Sequence, residues 1–295
     1  MGKTMTAKTV LITGCSSGIG LATAEYFQQR GWNVSATMRN PDADSKNLKR
    51  LDDTICPKLD VNDTATIKSA IDETIRQFGS IDVVVNNAGY ALMGAFETLD
   101  KEQIRRQFDT NVFGLMEVCR EILPYFRDQK SGTLINVSSM VGRVPLPFYS
   151  VYNASKHAVE GFTEGLVYEL EPFNVNVKII EPGAVNTDFF GRSSDRANAT
   201  GESAYHDHSS WRLQTMDRFG PGGSDSVDVA RVIWNAANDS SNKLRYAVGI
   251  DAKGIMAARQ LLPGATFRSL IKFGLSPAFF DTIGQHVFKP AEAKD

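Results

Sequence analysis

Tyr152 and Lys156 stand four residues apart in Tyr152-Asn153-Ala154-Ser155-Lys156, and Ser139 lies thirteen residues upstream. At i and i+4 on a helix, two side chains share one face, one turn apart. A free phenol, with a pKa of about 10, is a poor base at neutral pH. An ammonium within a few ångströms favours the phenolate and lowers that pKa. Such a tyrosine could pass a proton to or from an alcohol near neutral pH. Taken alone, Tyr-x-x-x-Lys is also an ordinary helix-surface pair. The surrounding elements must decide between the two readings.

Short apolar runs alternate with helical patterns. Val10-Leu11-Ile12, Val34-Ser35-Ala36-Thr37, Val83-Val84-Val85, Leu134 to Val137 and Val175 to Ile180 read as strands, and a seventh is expected around Leu244 to Val248. Several lack polar alternation, as strands covered on both faces do. Ile67, Ile71, Ile75 and Phe78 mark one helical stripe, and Ile104, Phe108, Val112, Leu115, Cys119, Ile122 and Phe126 mark a longer one. Val159, Phe162, Leu166 and Leu170 continue the helix that carries Tyr152 and Lys156. Repeated strand–helix–strand units predict a parallel sheet with helices on both faces.

Thr13-Gly14-Cys15-Ser16-Ser17-Gly18-Ile19-Gly20 follows the first strand and opens a helix. Its glycines permit a tight turn and close approach of a pyrophosphate to the positive helix N-terminus. A plain strand-to-helix turn has the same composition, but the position in the first strand–helix unit favours the phosphate reading. At the end of the second strand stand Thr37-Met38-Arg39, with no carboxylate there to hold a ribose 2′-hydroxyl. The guanidinium of Arg39 suits a 2′-phosphate. The expected cofactor is therefore NADP(H) in preference to NAD(H), unless Arg39 is simply a solvated surface residue.

Size and charge exclude several classes. The chain has 295 residues, 42% hydrophobic and 22% charged, which is ordinary for a soluble globular protein. A net charge of −2 gives no strong pull toward nucleic acid or an anionic membrane. Cys15, Cys56 and Cys119 form no disulfide or metal spacing, and His206 and His208 lack a third partner for a zinc site, so no metal is expected. With no apolar leader and no long apolar run, a cytoplasmic chain without a transmembrane segment is the expectation.

Together these residues resemble the short-chain dehydrogenase/reductase family over about residues 8–190, with motifs in the family's order. Gly14, Gly18 and Gly20 match its glycine motif, and Asn86-Asn87-Ala88-Gly89 its Asn-Asn-Ala-Gly segment. Asn111, Ser139, Tyr152 and Lys156 match its active-site residues, and Pro182-Gly183 with Thr187 its segment after the sixth strand. The glycine turn and Ala36-Thr37-Met38-Arg39 look most like the branch of 17β-hydroxysteroid and retinol dehydrogenases. The resemblance implies a single-domain, doubly wound Rossmann fold of about seven parallel strands. It implies Tyr152 as general acid/base, Lys156 lowering its pKa and binding the nicotinamide ribose, and Ser139 on the substrate oxygen. The backbone of Asn111 would hold a water that links Lys156 to solvent. Ser16, Ser17, Ile19, Asp60, Val61, Asn87, Ala88, Gly89, Val185 and Thr187 would complete the cofactor site, and a homodimer or homotetramer is expected. Thr187 could instead cap a helix, and Ser138 is the neighbouring candidate for the active serine. The spacing to Tyr152 selects Ser139.

The expected substrate neighbours are apolar: Tyr90 and Met93 after the Asn-Ala-Gly turn, and Val141, Phe148 and Tyr149 before the tyrosine. These point to a bulky hydrophobic ketone, aldehyde or alcohol, although some could be core or a subunit contact. The polar stretch 191–223 reads as a substrate lid. The apolar C-terminal extension 255–295 would cover the pocket or contact a subunit. The alternative function is a dinucleotide-binding sensor or scaffold without turnover, against which the intact Ser139, Tyr152 and Lys156 set argues.

Overall fold

The apolar runs become the strands β1 (Thr9–Ile12), β2 (Asn33–Ala36), β3 (Thr54–Ile55), β4 (Val83–Asn86), β6 (Gly132–Val137), β7 (Val175–Pro182) and β11 (Arg245–Val248). They form one seven-stranded sheet in the order β11-β7-β6-β4-β1-β2-β3. Every neighbouring pair is parallel. The computed structural model describes residues 7–43, 48–187, 194–197, 204–205, 223–274, 276 and 279. Shorter strands β5 (Ala91–Met93) and β9 (Ser194–Arg196) pair with each other, as do β8 (Val185–Asn186) and β10 (Ser224–Asp225).

Helices cover both faces. They are α1 (Gly18–Gln28), α2 (Thr64–Phe78), α3 (Lys101–Phe108), α4 (Leu115–Gln129), α5 (Ser150–Leu170), α6 (Ser226–Ala237), α7 (Ile250–Leu261) and α8 (Gly264–Gly274). Because side chains alternate along a strand, Val10 and Ile12 face one core with Phe27, Val229 and Ile233. Leu11 faces the other, with Ile67, Ile122, Phe126, Val159 and Leu166. This two-sided burial explains the unbroken apolar runs.

The order reverses between β1 and β4, so chain leaving their ends diverges and opens a crevice. Local signals set the flanking helices. The Asp63 side chain caps α2 by accepting from Ala65 N–H, and Gly79 closes it at φ 84°. Asp100 and Gln103 form a reciprocal capping box on α3.

The long apolar stripe does not form one regular α-helix. Between α3 and α4 the chain widens into a π-helical turn, Asp109–Gly114, with Asn111 inside it. In α3 the buried side chains are Gln103 and Gln107 rather than Ile104 and Phe108. The proposed lid at 191–223 lies mostly outside the described residues, as do His206, His208 and 280–295. Among the described residues no helix is long and apolar enough to cross a membrane.

Candidate active site

The crevice is a cavity of about 1330 Å³ running from the glycine turn to α5 and α8. At one end Gly14 and Gly18 hold φ values of 76° and 57°, which glycine adopts without steric cost. A Cβ on Gly20 would collide with the Gly14 carbonyl, so the helix start packs directly on the turn. Thr13 Oγ1 accepts from the N–H groups of Asn87 and Ala88, both at 3.0 Å. Asn87 Nδ2 donates back to the Thr13 and Gly14 carbonyls at 2.9 and 3.2 Å. The two strand exits that flank the switch point are thereby fastened together.

Ser17 at the N-cap of α1 makes no side-chain capping bond, and the first turn carries no acid. Its N–H groups lie where the cavity begins, an arrangement suited to an anionic pyrophosphate. Gly14, Ser16, Ser17, Gly18 and Ile19 line the cavity there, with Arg39 and Asp60 further along. Val61, Ala88, Gly89, Pro182, Gly183, Val185 and Thr187 line the same space, as does Asn87. Gly20 does not line it and serves by close packing instead. These residues fit a nicotinamide dinucleotide.

At the other end, Ser139 follows β6 and Tyr152 and Lys156 lie on α5. Ser139 Oγ donates to the Pro182 carbonyl and accepts from Val141 N–H, each at 3.3 Å. It also hydrogen-bonds Tyr152. Ser138 is buried beside it, and its hydroxyl finds no hydrogen-bond partner. Lys156 donates to the Val137 carbonyl at 2.9 Å, and its nitrogen lies 5.8 Å from the Tyr152 ring centre.

The electrostatics correct one expectation. Burial dominates at Tyr152 and pushes its phenol above the ordinary tyrosine value, while the bond to Ser139 pulls it partly back. Burial also lowers Lys156 to about 8, opposed by Glu160. Within the chain, burial therefore holds Tyr152 as a neutral phenol.

Asn111 is also placed differently from a cavity-lining residue. It is 1% exposed. Its Oδ1 accepts from Tyr90 N–H at 3.1 Å, and its Nδ2 donates to the Tyr90 carbonyl at 2.9 Å. Gly89 permits this approach, since a Cβ there would lie 3.0 Å from Asn111 Oδ1. The side chain thus fixes the Tyr90 backbone.

Of the expected substrate neighbours, Tyr90, Val141 and Tyr149 line the cavity. Met93 and Phe148 do not. Met93 is 1% exposed because β5 turns it into a small core with Ala91 and Tyr149. Phe148 holds φ 62°, and its carbonyl accepts from Gly94 N–H.

Met140 and Leu146 before α5 also line the cavity, as do Leu270, Ile271 and Phe273 on α8, within the extension expected to cover the pocket or contact a subunit, whereas Phe113 in the π turn lay beyond the sequence reading. The apolar spacing of α8 was a usable signal, but nothing local showed where that helix would lie. Cys15 is fully buried, and desolvation raises its thiol well above the ordinary value, as befits a small core filler. Among the described residues no group of three His, Cys, Asp or Glu side chains could hold a metal ion.

A switch-point crevice with a glycine turn at one end and a Ser–Tyr–Lys set at the other defines an α/β oxidoreductase. Residues 8–198 match the family described as short chain dehydrogenase, and the chain belongs to the short-chain dehydrogenase/reductase family. The uncharacterized oxidoreductase YusZ of Bacillus subtilis is 36% identical over 278 residues, covering 91% of this chain and 98% of that protein. The structure of ElxO with NADP bound superposes with a TM-score of 0.67 at 25% identity, covering 82% of this chain and 97% of that one. A Burkholderia phymatum short-chain dehydrogenase/reductase in complex with NAD has a TM-score of 0.75 at 24% identity, covering 86% and 92%.

Proposed function

We propose that the protein is an NADP(H)-dependent oxidoreductase that interconverts a ketone or aldehyde and the corresponding alcohol. The observation that carries this reading is the Tyr152 hydroxyl, hydrogen-bonded to Ser139 on the cavity wall with Lys156 behind its ring. When bound, the cofactor supplies or accepts a hydride at the carbonyl carbon. In reduction, Tyr152 gives its proton to the carbonyl oxygen as the carbon–oxygen double bond becomes an alcohol. Ser139 donates to that same oxygen and stabilises the charge developing there. Lys156 stabilises the tyrosinate left behind and offers its ammonium to the ribose hydroxyls. Burial of Tyr152 supports reduction as the direction in which the resting protonation state is already correct.

The NADP(H) preference rests on Arg39, exposed on the cavity edge at the end of β2 with no carboxylate at that strand tip. The fold itself accommodates either cofactor, as the NADP and NAD complexes of its structural neighbours illustrate. Met140, Leu146, Tyr149, Leu270 and Phe273 support a bulky hydrophobic substrate, steroid-, retinoid-, lipid- or aromatic-like. On this reading α8 covers the substrate end.

The test is oxidation of NADPH and NADH with a panel of hydrophobic and small polar carbonyl compounds. Wild type is expected to favour NADPH and hydrophobic carbonyls. Arg39→Ala is expected to weaken NADPH use roughly tenfold to a hundredfold, as loss of a charge-assisted contact does, with little change for NADH. A wild type that favours NADH overturns the cofactor assignment, and turnover confined to small sugars overturns the substrate class.

A further inference from the structure

Where β7 ends, the turn Pro182-Gly183-Ala184-Val185 runs along the cavity wall. The Pro182 carbonyl accepts from Ser139 Oγ, so this turn borders the reacting end of the crevice. Its backbone is held at three successive points. Gly183 N–H donates to the Val248 carbonyl at 2.9 Å, and the Ala184 carbonyl accepts from Ser224 N–H at 2.9 Å. Between these, Ala184 N–H donates to Oδ2 of Asp251 at 2.8 Å. That middle contact reaches across from another element, the first turn of α7. Asp251 also lines the cavity, and the proposed reaction gives it no part.

We propose that Asp251 is a positioning residue whose carboxylate fixes the Gly183-Ala184 turn as a wall of the cofactor site. The inference rests on the reading of the crevice as a nicotinamide dinucleotide site. Two glycines make room for the carboxylate. A Cβ on Gly183 would overlap both of its oxygens, and a Cβ on Gly249 would overlap Oδ1. Gly249 also holds φ 97°, a conformation that glycine adopts without steric cost. The carboxylate is presented from a fixed base. Ala252 and Met256, on the same helix, are buried with Val144 and with Phe267 of α8. Asp251 and Ile255, one turn apart, both face the cavity. An acid in the first turn of a helix also favours that helix electrostatically. The charge and the acceptor oxygen must therefore be tested separately.

The test is fluorescence titration with NADPH, with NADH as a second probe, alongside thermal unfolding; neither needs a carbonyl substrate. Asp251→Ala is expected to weaken NADPH binding about tenfold, as loss of a hydrogen bond to a charged group does. Asp251→Asn keeps an acceptor oxygen and drops the charge, so it should recover most of the affinity whatever happens to Tm. Gly183→Ala puts a methyl group where the carboxylate lies and should weaken NADPH about as much as Asp251→Ala. The combined variant should bind no more weakly than either single one, because both remove the same contact. Gly183→Ala and Asp251→Asn carry the test if Asp251→Ala folds poorly. Wild-type affinity in folded Asp251→Ala or in Gly183→Ala overturns the proposal. So does Asp251→Asn binding as weakly as Asp251→Ala, which would reduce Asp251 to a helix-end charge, and so do additive losses in the combined variant. Weakened binding in a protein that reduces no carbonyl compound would uphold this inference and count against the proposed activity. Unchanged binding in an active enzyme would do the reverse.

Discussion

The Lys156 ammonium donates to the Val137 carbonyl at 2.9 Å, tying the helix that carries Tyr152 to the end of the central strand β6. The lysine nitrogen so held lies 5.8 Å from the centre of the Tyr152 ring. The tie also means that the lysine charge is shared with a backbone oxygen rather than spent wholly on the phenol.

A directional pH dependence follows from this arrangement. Burial keeps the Tyr152 phenol protonated through neutral pH, with the hydrogen bond to Ser139 as the smaller opposing effect. Ketone reduction needs the proton, so its kcat/KM should be nearly flat from about pH 6 to 7 and fall in alkali. Alcohol oxidation needs the phenolate, so its kcat/KM should rise across the same range and beyond. Initial rates in both directions measure this. An oxidation rate independent of pH from 6 upward contradicts it.

Asn111 should matter to stability as well as to rate. Its amide closes two hydrogen bonds on Tyr90 from inside a π turn. Asn111→Ala leaves the half-buried Tyr90 N–H without its side-chain partner, while Gln107 still donates to the Tyr90 carbonyl at 2.8 Å, at a cost of about 1–3 kcal/mol. For a chain of this size that is several degrees in Tm, read by thermal unfolding. An unchanged Tm would show that the turn is held by other contacts.

Glu181 should make stability fall as pH rises. Burial and the neighbouring Glu160 raise it to about 7, with Arg143 and Arg245 as smaller opposing influences. Between the ordinary value of 4.5 and about 7, the folded state binds more protons here than the unfolded state. The sign is therefore a loss of stability from this group over that window. Glu181→Gln removes the titration, so its Tm relative to wild type should increase between pH 5 and pH 8. A constant difference across that range contradicts the assignment.

The sheet was legible because its strands are apolar on both faces, a pattern that polar neighbours and glycine turns bound clearly. Tyr152, Lys156 and Ser139 were legible because chemistry needs those types at that spacing. The π turn was not, since Ile104, Phe108, Val112 and Leu115 follow helical spacing whether or not one turn widens. Met93 was misplaced because three-residue β5 inverts which side of the chain faces the core. The lining by α8 depends on long-range packing that no local pattern records. Glu181 carried a readable signal, a carboxylate directly after Ile179-Ile180, whose meaning awaited its partners on three other elements.

The most direct test of the account removes one oxygen. Tyr152→Phe keeps the ring that packs with Ala91, Val141 and Tyr149 and deletes the hydroxyl bonded to Ser139. With NADPH and a carbonyl that wild type reduces, kcat should fall by about 10²–10⁴-fold, the usual contribution of general acid–base catalysis. NADPH affinity and Tm should stay near wild type. Turnover at the wild-type rate would contradict the central claim that Tyr152 moves the proton.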